Sequence, residues 1–424
     1  MKVLLVSGEY PPMKGGVGRY TFNLAHALAT RGDVDVSIAI SASVDRQSDS
    51  SRNNSSSSSH LTIYSNIVKK GDRDNSERLL NIISKIKPDI VNIQYERGLY
   101  EVDTTIRHTI WRLAHGSTLN RFYKDCPVPT VSTLHTVFPR DEYQAYVKER
   151  SQRKEGRFGF LPMPLRAAIR RSVMRKRYDL LLEVVRLSDE IINPAKTIQD
   201  IIRRGTVIYH GAEPSIDIQS TAITNDKRQF RNELGLPMDR RLLLAFGYAG
   251  SYKGFDVLAN LHLPDGWSLV LKQTRHERGN EKPIQICRDE SNSIINLHLG
   301  YLDDISLSKL FIACDAIIFP YRIVSISGVM FDALAHGLPF VASDLRFFKE
   351  FADMGLGIVC DRDIASFEKA VLTLANRYDK YKQRVEQFAP NLLWTTVAQK
   401  HVELFSRLIS SLPAEGAKEN LKAL

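Results

Sequence analysis

Four cysteines in 424 residues, none at pair spacing, leave little from which to build a disulfide framework or a clustered metal site. Cys126 and Cys287 are isolated. Cys314 and Cys360 have apolar neighbours and read as small buried hydrophobes in a reducing compartment. No apolar run approaches the roughly 20 residues that a spanning helix needs. The run over residues 1–6 is too short for a signal peptide, and Glu9, Pro11 and Pro12 follow it. The Gly-x-Gly-x-x-Gly pattern of dinucleotide folds is missing: Gly15-Gly16-Val17-Gly18 stands at the first strand-to-helix turn. No acidic residue clearly ends the next strand, which disfavours a nicotinamide dehydrogenase. These absences point to a cytoplasmic protein that can sit peripherally on the inner face of a membrane. Its length demands more than one hydrophobic core.

What is present is an excess of base. The net charge is +10, and residues 148–177 hold eleven Lys or Arg against Glu149 and Glu155, nearly the whole excess. Phe158, Phe160, Leu161, Met163, Leu165, Ile169 and Val173 are interleaved with them. A basic segment with an apolar stripe suits an anionic membrane surface. It equally suits a solvated helix whose stripe faces the core. Nucleic acid is disfavoured, because no recognised binding motif accompanies the charge.

The pattern along the chain is strand, helix, strand, twice over. Short apolar runs at residues 3–7, 34–40, 61–64, 89–94, 129–134, 189–194 and 206–209 read as strands. A helical spacing through Phe22, Leu24, Ala25, Leu28 and Ala29 separates the first two. Residues 41–60, rich in serine and asparagine, read as a mobile surface loop. A second series starts at 242–247 and continues through 268–271, 294–299, 316–319, 339–342 and 357–359. The chain therefore divides into a first Rossmann-like domain at 1–210, a linker at 211–235, a second domain at 236–390, a final helix at 391–412 and a tail at 413–424. In such domains ligands bind at the carboxyl ends of the strands.

One stretch draws particular notice. Ile317-Ile318-Phe319-Pro320-Tyr321-Arg322 is a buried strand stopped by proline. Ser325-Ile326-Ser327-Gly328 then opens a short helix that Gly337 ends. Hydroxyls and free N–H groups at a helix start suit an anion. The same pattern serves an ordinary capped helix. Three other turns stand at strand ends: Gly15-Gly16-Val17-Gly18-Arg19, Thr133-Leu134-His135-Thr136, and Tyr252-Lys253-Gly254-Phe255-Asp256. Lys253 and the serine turn would clamp a diphosphate from two sides. Asp303-Asp304 reads as a helix cap rather than a metal site.

With these four turns in this order, the chain resembles the retaining glycosyltransferases of GT-B fold in family 4 (group 1, glycogen synthase-like). The match runs from Tyr10-Pro11-Pro12 through Val207-Ile208-Tyr209-His210-Gly211, Gly300-Tyr301-Leu302-Asp303-Asp304 and Ala313-Cys314-Asp315-Ala316 to Asp332-Ala333-Leu334-Ala335-His336-Gly337-Leu338-Pro339. The resemblance implies an α/β chain of two Rossmann-like domains facing each other across a cleft, with a C-terminal helix that crosses back to the first. It implies transfer of a sugar from a nucleotide-sugar, UDP- or GDP-linked, to a glycan or lipid-linked acceptor, with no metal or other cofactor. Lys253 would hold the donor diphosphate, with Ser325, Ser327 and Gly328 on the same phosphates and Asp332 on the ribose. Gly16 would let its backbone approach the phosphate and acceptor, and His135 would contact the transferred sugar. The departing phosphate would take the acceptor's proton. The family usually carries a glutamate eight residues before a second one; here Val324 and Asp332 occupy those places. The usual arginine before the lysine is also missing, and Arg322 is the first choice to replace it, with Lys272 and Arg275 behind. Those gaps motivate the alternative of a catalytically inactive relative that binds sugar-nucleotide or glycan while docked on an anionic membrane.

Overall fold

The computed structural model describes residues 1–41, 60–101, 116–152, 162–216, 223–274, 294–298 and 300–411. Most of the serine-rich stretch, the centre of the basic block, Arg275 and the tail lie outside the described residues. Two compact units emerge. The first comprises Met1–Thr136, Arg171–Gly211 and the C-terminal segment from Trp394; the second comprises Val137–Arg170 and Ala212–Leu393.

The first half of the chain runs β1 (Lys2–Ser7), α1 (Gly16–Thr30), β2 (Asp35–Ile40), β3 (Leu61–Tyr64), α2 (Asn75–Ile86), β4 (Ile90–Tyr95), α3 (Arg97–Tyr100), α4 (Asn120–Asp125) and β5 (Thr130–Leu134). It continues with α5 (Arg140–Gln152), α6 (Met163–Leu187), β6 (Glu190–Asn193), α7 (Lys196–Ile202) and β7 (Thr206–Val207). The strands form one parallel sheet in the order β3-β2-β1-β4-β5-β6-β7. Central strands β1, β4 and β5 are buried on both faces; β1 is an apolar run, whereas β4 and β5 also bury Asn92, Gln94 and Thr133, which hydrogen-bond one another. The order reverses between β1 and β4, and Gly15-Gly16 follows β1 at that switch point, where open α/β sheets bind ligands.

The second half runs α8 (Ile223–Glu233), β8 (Arg241–Tyr248), β9 (Trp267–Thr274), β10 (Ile294–Asn296), α9 (Asp304–Ala313), β11 (Ala316–Phe319), α10 (Gly328–Ala335), β12 (Phe340–Ser343), α11 (Arg346–Asp353), β13 (Gly357–Cys360), α12 (Ile364–Asn376), α13 (Tyr378–Phe388) and α14 (Trp394–Ser410). Its parallel sheet has the order β10-β9-β8-β11-β12-β13, with a reversal between β8 and β11. The Lys253 turn follows β8 and the serine turn follows β11. The sheet topology therefore brings those two turns together at neighbouring strand ends.

Helix α14 returns to the first unit, as its apolar spacing requires. Trp394, Val397, Ala398, His401, Leu404 and Phe405 are buried on one face and join the core of α1, which includes Tyr20, Leu24 and Leu28. Burial of Val397, Leu404 and Phe405 contributes about 1.5–3 kcal/mol each. Tyr20 is the hub: its ring meets His135 at 4.9 Å, His210 at 5.0 Å and Trp394 at 5.2 Å. Among the described residues no helix is long and apolar enough to cross a membrane.

Two features depart from the sequence reading. Residues 223–233, expected as part of an irregular linker, form α8. It is anchored by charge rather than by an apolar stripe: Arg231 is buried, donates to the Ala313 carbonyl, and pairs with Asp315 at 2.7 Å beside Lys227. Helical periodicity of apolar residues cannot report such an anchor. Second, Val137–Arg170 belongs to the second unit, although it precedes the expected domain break at 210. Acidic residues of α5 hold it there. Asp141 pairs with Arg346 at 2.6 Å, and Glu142 accepts the Arg346 N–H at 2.8 Å, at the start of α11.

Candidate active site

The Lys253 turn is built to bring an ammonium group under cover. Gly250 leads into a short 3-10 turn, Ser251–Lys253, and Gly254 follows with φ +66°. A Cβ on Gly254 would overlap the Pro320 carbonyl oxygen, so both the backbone angle and the close approach require glycine there. Lys253 is only 7% exposed. Its Nζ donates to the Tyr321 hydroxyl and lies 3.9 Å from the centre of that ring. Burial pushes the ammonium down from 10.5 to about 7. Among the described residues no carboxylate is paired with it. Burial raises the Tyr321 phenol well above its usual range, so it stays neutral as a hydrogen-bonding partner; a hydrogen bond from Ser327 opposes that rise.

Ser327 stands at the start of α10 and accepts the Met330 N–H at 3.3 Å, as the spacing predicted. Gly328 is the first helical residue, and Asp332 is buried one turn further on. Replacing Ser327 with alanine removes this cap. The expected loss is about 1 kcal/mol of stability, read by denaturant unfolding at unchanged slope.

Two residues expected on the phosphates are engaged elsewhere. The Ser325 hydroxyl accepts the Val137 N–H at 2.6 Å and donates to the Val137 carbonyl at 2.9 Å. Its one proton is therefore committed to the segment leading into α5. Arg322 does not present a free fork. Its Nη2 donates to both oxygens of Asp256 at 2.6 Å, and its Nη1 donates to Glu149. Neither partnership is visible locally, because the partners are 66 and more than 170 residues away. Lys272, the second choice for the missing base, is buried in β9. Its Nζ donates to Thr274 Oγ1 and to the Gly300 carbonyl at 2.7 Å, and burial lowers it to about 8.

In the first unit, His135 follows β5 and Gln94 lies on neighbouring β4. A buried amide chain determines the imidazole tautomer. Asn92 Nδ2 donates to Thr133 Oγ1 at 3.0 Å and to the Val131 carbonyl at 3.2 Å, so its Oδ1 faces Gln94 Nε2 at 2.5 Å. Gln94 then presents Oε1 to His135 Nε2 at 2.9 Å, and Nε2 must carry the proton. Nδ1 is left as an acceptor with no partner among the described residues. Burial holds this imidazole down at about 3, with a smaller contribution from His210, so it is neutral throughout the working range. At Gly16 a Cβ would meet nothing within 4 Å, so the start of α1 presents an open backbone face. Glu9 supports it from behind, accepting the Gly18 N–H at 3.0 Å. Asn92, Gln94 and Glu9 carried no signal in the sequence, since each acts through a partner on another strand or turn; Tyr321 lay in the stretch the sequence singled out, but its bond to Lys253 was not legible there.

A model for Glycosyltransferase Family 4 matches residues 14–215, and one for Glycosyl transferases group 1 matches residues 279–377. Together they span more than two thirds of the chain. The chain belongs to the family 4, group 1 glycosyltransferases. Lys253 falls between the two matched stretches, so its place in this glycosyltransferase rests on the sheet topology. No curated protein matches the sequence significantly. Among solved structures, sucrose-phosphate synthase from Thermosynechococcus elongatus is similar at 14% identity and a TM-score of 0.63, over 97% of this chain and 100% of that one. HepE from Anabaena in complex with UDP-glucose is similar at 13% identity and a TM-score of 0.61, over 96% and 100%. The catalytic domain of starch synthase IV from Arabidopsis thaliana, bound to ADP and acarbose, is similar at 14% and 0.58, over 96% and 99%. At these identities the likeness is one of fold: this glycosyltransferase has the GT-B fold.

Proposed function

We propose that this glycosyltransferase moves a sugar from a nucleoside-diphosphate sugar to a glycan or lipid-linked acceptor, with retention of configuration and without a metal. The observation that carries the reading is Lys253: a buried ammonium at the sheet's switch point, partnered by a neutral hydroxyl instead of a carboxylate. Burying a cation without a counter-charge is costly, and a diphosphate would supply the missing charge. UDP-glucose in HepE and ADP in the starch synthase support a nucleoside-diphosphate donor. Gly328 and its neighbours at the start of α10 offer N–H groups to the same phosphates. Lys272 is a better second base than Arg322, because its donors rest on neutral oxygens. Asp303 is spent on capping α9, where it accepts the Ser306 N–H at 2.7 Å.

In the proposed step the bond from the sugar's anomeric carbon to the diphosphate breaks, and the acceptor oxygen bonds to the same face. The acceptor's proton passes to the departing phosphate. Lys253 and the α10 N-terminus stabilise the charge that develops there. His135 Nδ1 accepts a hydroxyl of the transferred sugar and orients it. The acceptor is proposed to arrive at a membrane surface through the basic segment and α6, where Leu165 is 48% exposed and Arg175 is exposed. Incubation with UDP-, GDP- and ADP-sugars, following release of the nucleoside diphosphate, tests the reading. Binding without turnover on any donor and acceptor would favour the inactive sugar-nucleotide-binding relative instead. Flotation with anionic against neutral vesicles tests the docking.

A further inference from the structure

The guanidinium of Arg322 is the centre of a charge cluster that the proposed reaction does not use. Its side chain is 2% exposed, beneath Glu149 of α5 and Asp256, whose side chains are 35% and 51% exposed. Arg362 closes the ring: its Nε donates to the Pro320 carbonyl at 3.0 Å, and its guanidinium lies 3.4 Å from Asp256 and 3.8 Å from Glu149. Two cations and two carboxylates balance, so an incoming phosphate meets no net positive charge here. What the cluster does is join two pieces of backbone. Asp256 lies three residues beyond Lys253. Arg322 adjoins Tyr321, whose hydroxyl accepts the Lys253 ammonium. The Arg322 N–H donates to the Tyr252 carbonyl at 2.8 Å. The Arg322–Asp256, Lys253–Tyr321 and Arg322–Tyr252 bonds all run between residues 252–256 and residues 320–322, the turns that follow β8 and β11.

We propose that Arg322, held by Asp256 and Glu149, is a positioning residue: it fixes the Lys253 turn against the end of β11 so that the ammonium meets the donor diphosphate, and it does not itself bind phosphate. This rests on the reading of Lys253 as the donor's partner. It also makes α5 an integral support of the donor site, through a single carboxylate. A planar fork is needed, because Nη1 and Nη2 serve two different carboxylates; lysine at 322 would reach only one.

Asp256→Asn decides the matter, because the two roles of Arg322 predict opposite signs. UDP and GDP dissociation constants are measured by calorimetry on the full chain between pH 6 and 9, with melting temperature followed in parallel. A positioning role predicts about tenfold weaker binding at pH 7. It also predicts that the pH midpoint of binding moves upward, because a loosened turn lets water reach the ammonium. The groups that face the Lys253 ammonium are the Tyr252 and Tyr321 rings, and the substitution leaves them in place. Glu149→Gln, at a partly exposed site, should repeat the effect in milder form even if Asp256→Asn folds poorly, and Asp256→Glu should restore part of the loss. Tighter binding in Asp256→Asn would show that a freed guanidinium binds phosphate and would overturn the proposal. A lower melting temperature with unchanged affinity and midpoint would also overturn it, leaving the cluster a structural brace. If the unaltered chain binds neither nucleotide, the donor-site reading fails and this proposal with it. Binding in the unaltered chain with unresponsive variants sinks the proposal alone.

Discussion

Replacing Lys253 with alanine is expected to weaken UDP or GDP binding by roughly 30- to 1,000-fold, the equivalent of about 2–4 kcal/mol for removing one partner of a buried charge pair. The effect is large because the ammonium is buried and a diphosphate would be its only counter-charge among the described residues. The same burial makes binding depend on pH. With the ammonium pushed down to about 7, half the ligand-free molecules are neutral there. A diphosphate binds the protonated form and raises its affinity for the proton, so binding takes up a proton. Affinity should therefore fall as pH rises above about 7, by up to about tenfold per unit, until the bound form itself loses the proton. Calorimetry in buffers of different ionisation enthalpy would register that uptake. Stability moves the other way. Between about 7 and 10.5 the unfolded chain holds a proton that the folded chain has shed, so the ligand-free fold gains stability as pH rises. Loss of the pH dependence in Lys253→Ala would tie it to this residue. Its persistence would assign it elsewhere.

His135→Ala should lower kcat about 100- to 1,000-fold while leaving UDP affinity nearly unchanged. The magnitude is that of removing one well-placed hydrogen-bonding group from a reacting centre. The split between turnover and binding follows from the proposed roles: His135 belongs to the first unit, and the proposed diphosphate contacts belong to the second. The imidazole is neutral with its acceptor nitrogen directed by the Asn92–Gln94 chain, and burial keeps it so down to about pH 3. Accordingly kcat should show no limb between pH 4 and 8 that His135→Ala removes. A lost limb would mean that the residue works as a titrating acid or base. The same burial has a cost in acid. Its folded value lies below the usual 6.5, so the stability tied to neutral His135 is complete above 6.5 and is lost as pH falls towards 3.

Much of the fold was legible in residue order. An unbroken apolar run such as 316–319, β-branched at its centre and closed by Pro320, reads as a strand buried on both faces, and β11 is one. Trp394, Val397, His401 and Leu404 recur at helical spacing and require a partner surface. Glycine and hydroxyl turns between such elements marked the strand ends where the donor site is proposed. Lys253 and His135 could be singled out because each follows a strand. Their environments could not, because burial is a property of what packs over a residue. The lowered affinity of Lys253 for its proton comes from its burial beside the Tyr321 and Tyr252 rings, and the tautomer of His135 comes from Gln94 on the neighbouring strand.

The sequence was silent where charges pair over long sequence distances. Arg322 looked like a free base because nothing nearby in sequence opposes it; Glu149 and Asp256 reach it only through the fold. Ser325 looked like a phosphate ligand for the same reason, until Val137 took both its bonds. Residues 223–233 lacked periodicity because a buried Arg231–Asp315 pair holds that helix, and such a pair leaves no repeat. Hydrophobic pattern and turn chemistry are local, so the sequence by itself determined the two βα series, their strand ends and the family. Electrostatic partnership is not local. Only the tertiary structure decided that Lys253 is buried beside a neutral hydroxyl while Arg322 is held by carboxylates of its own chain.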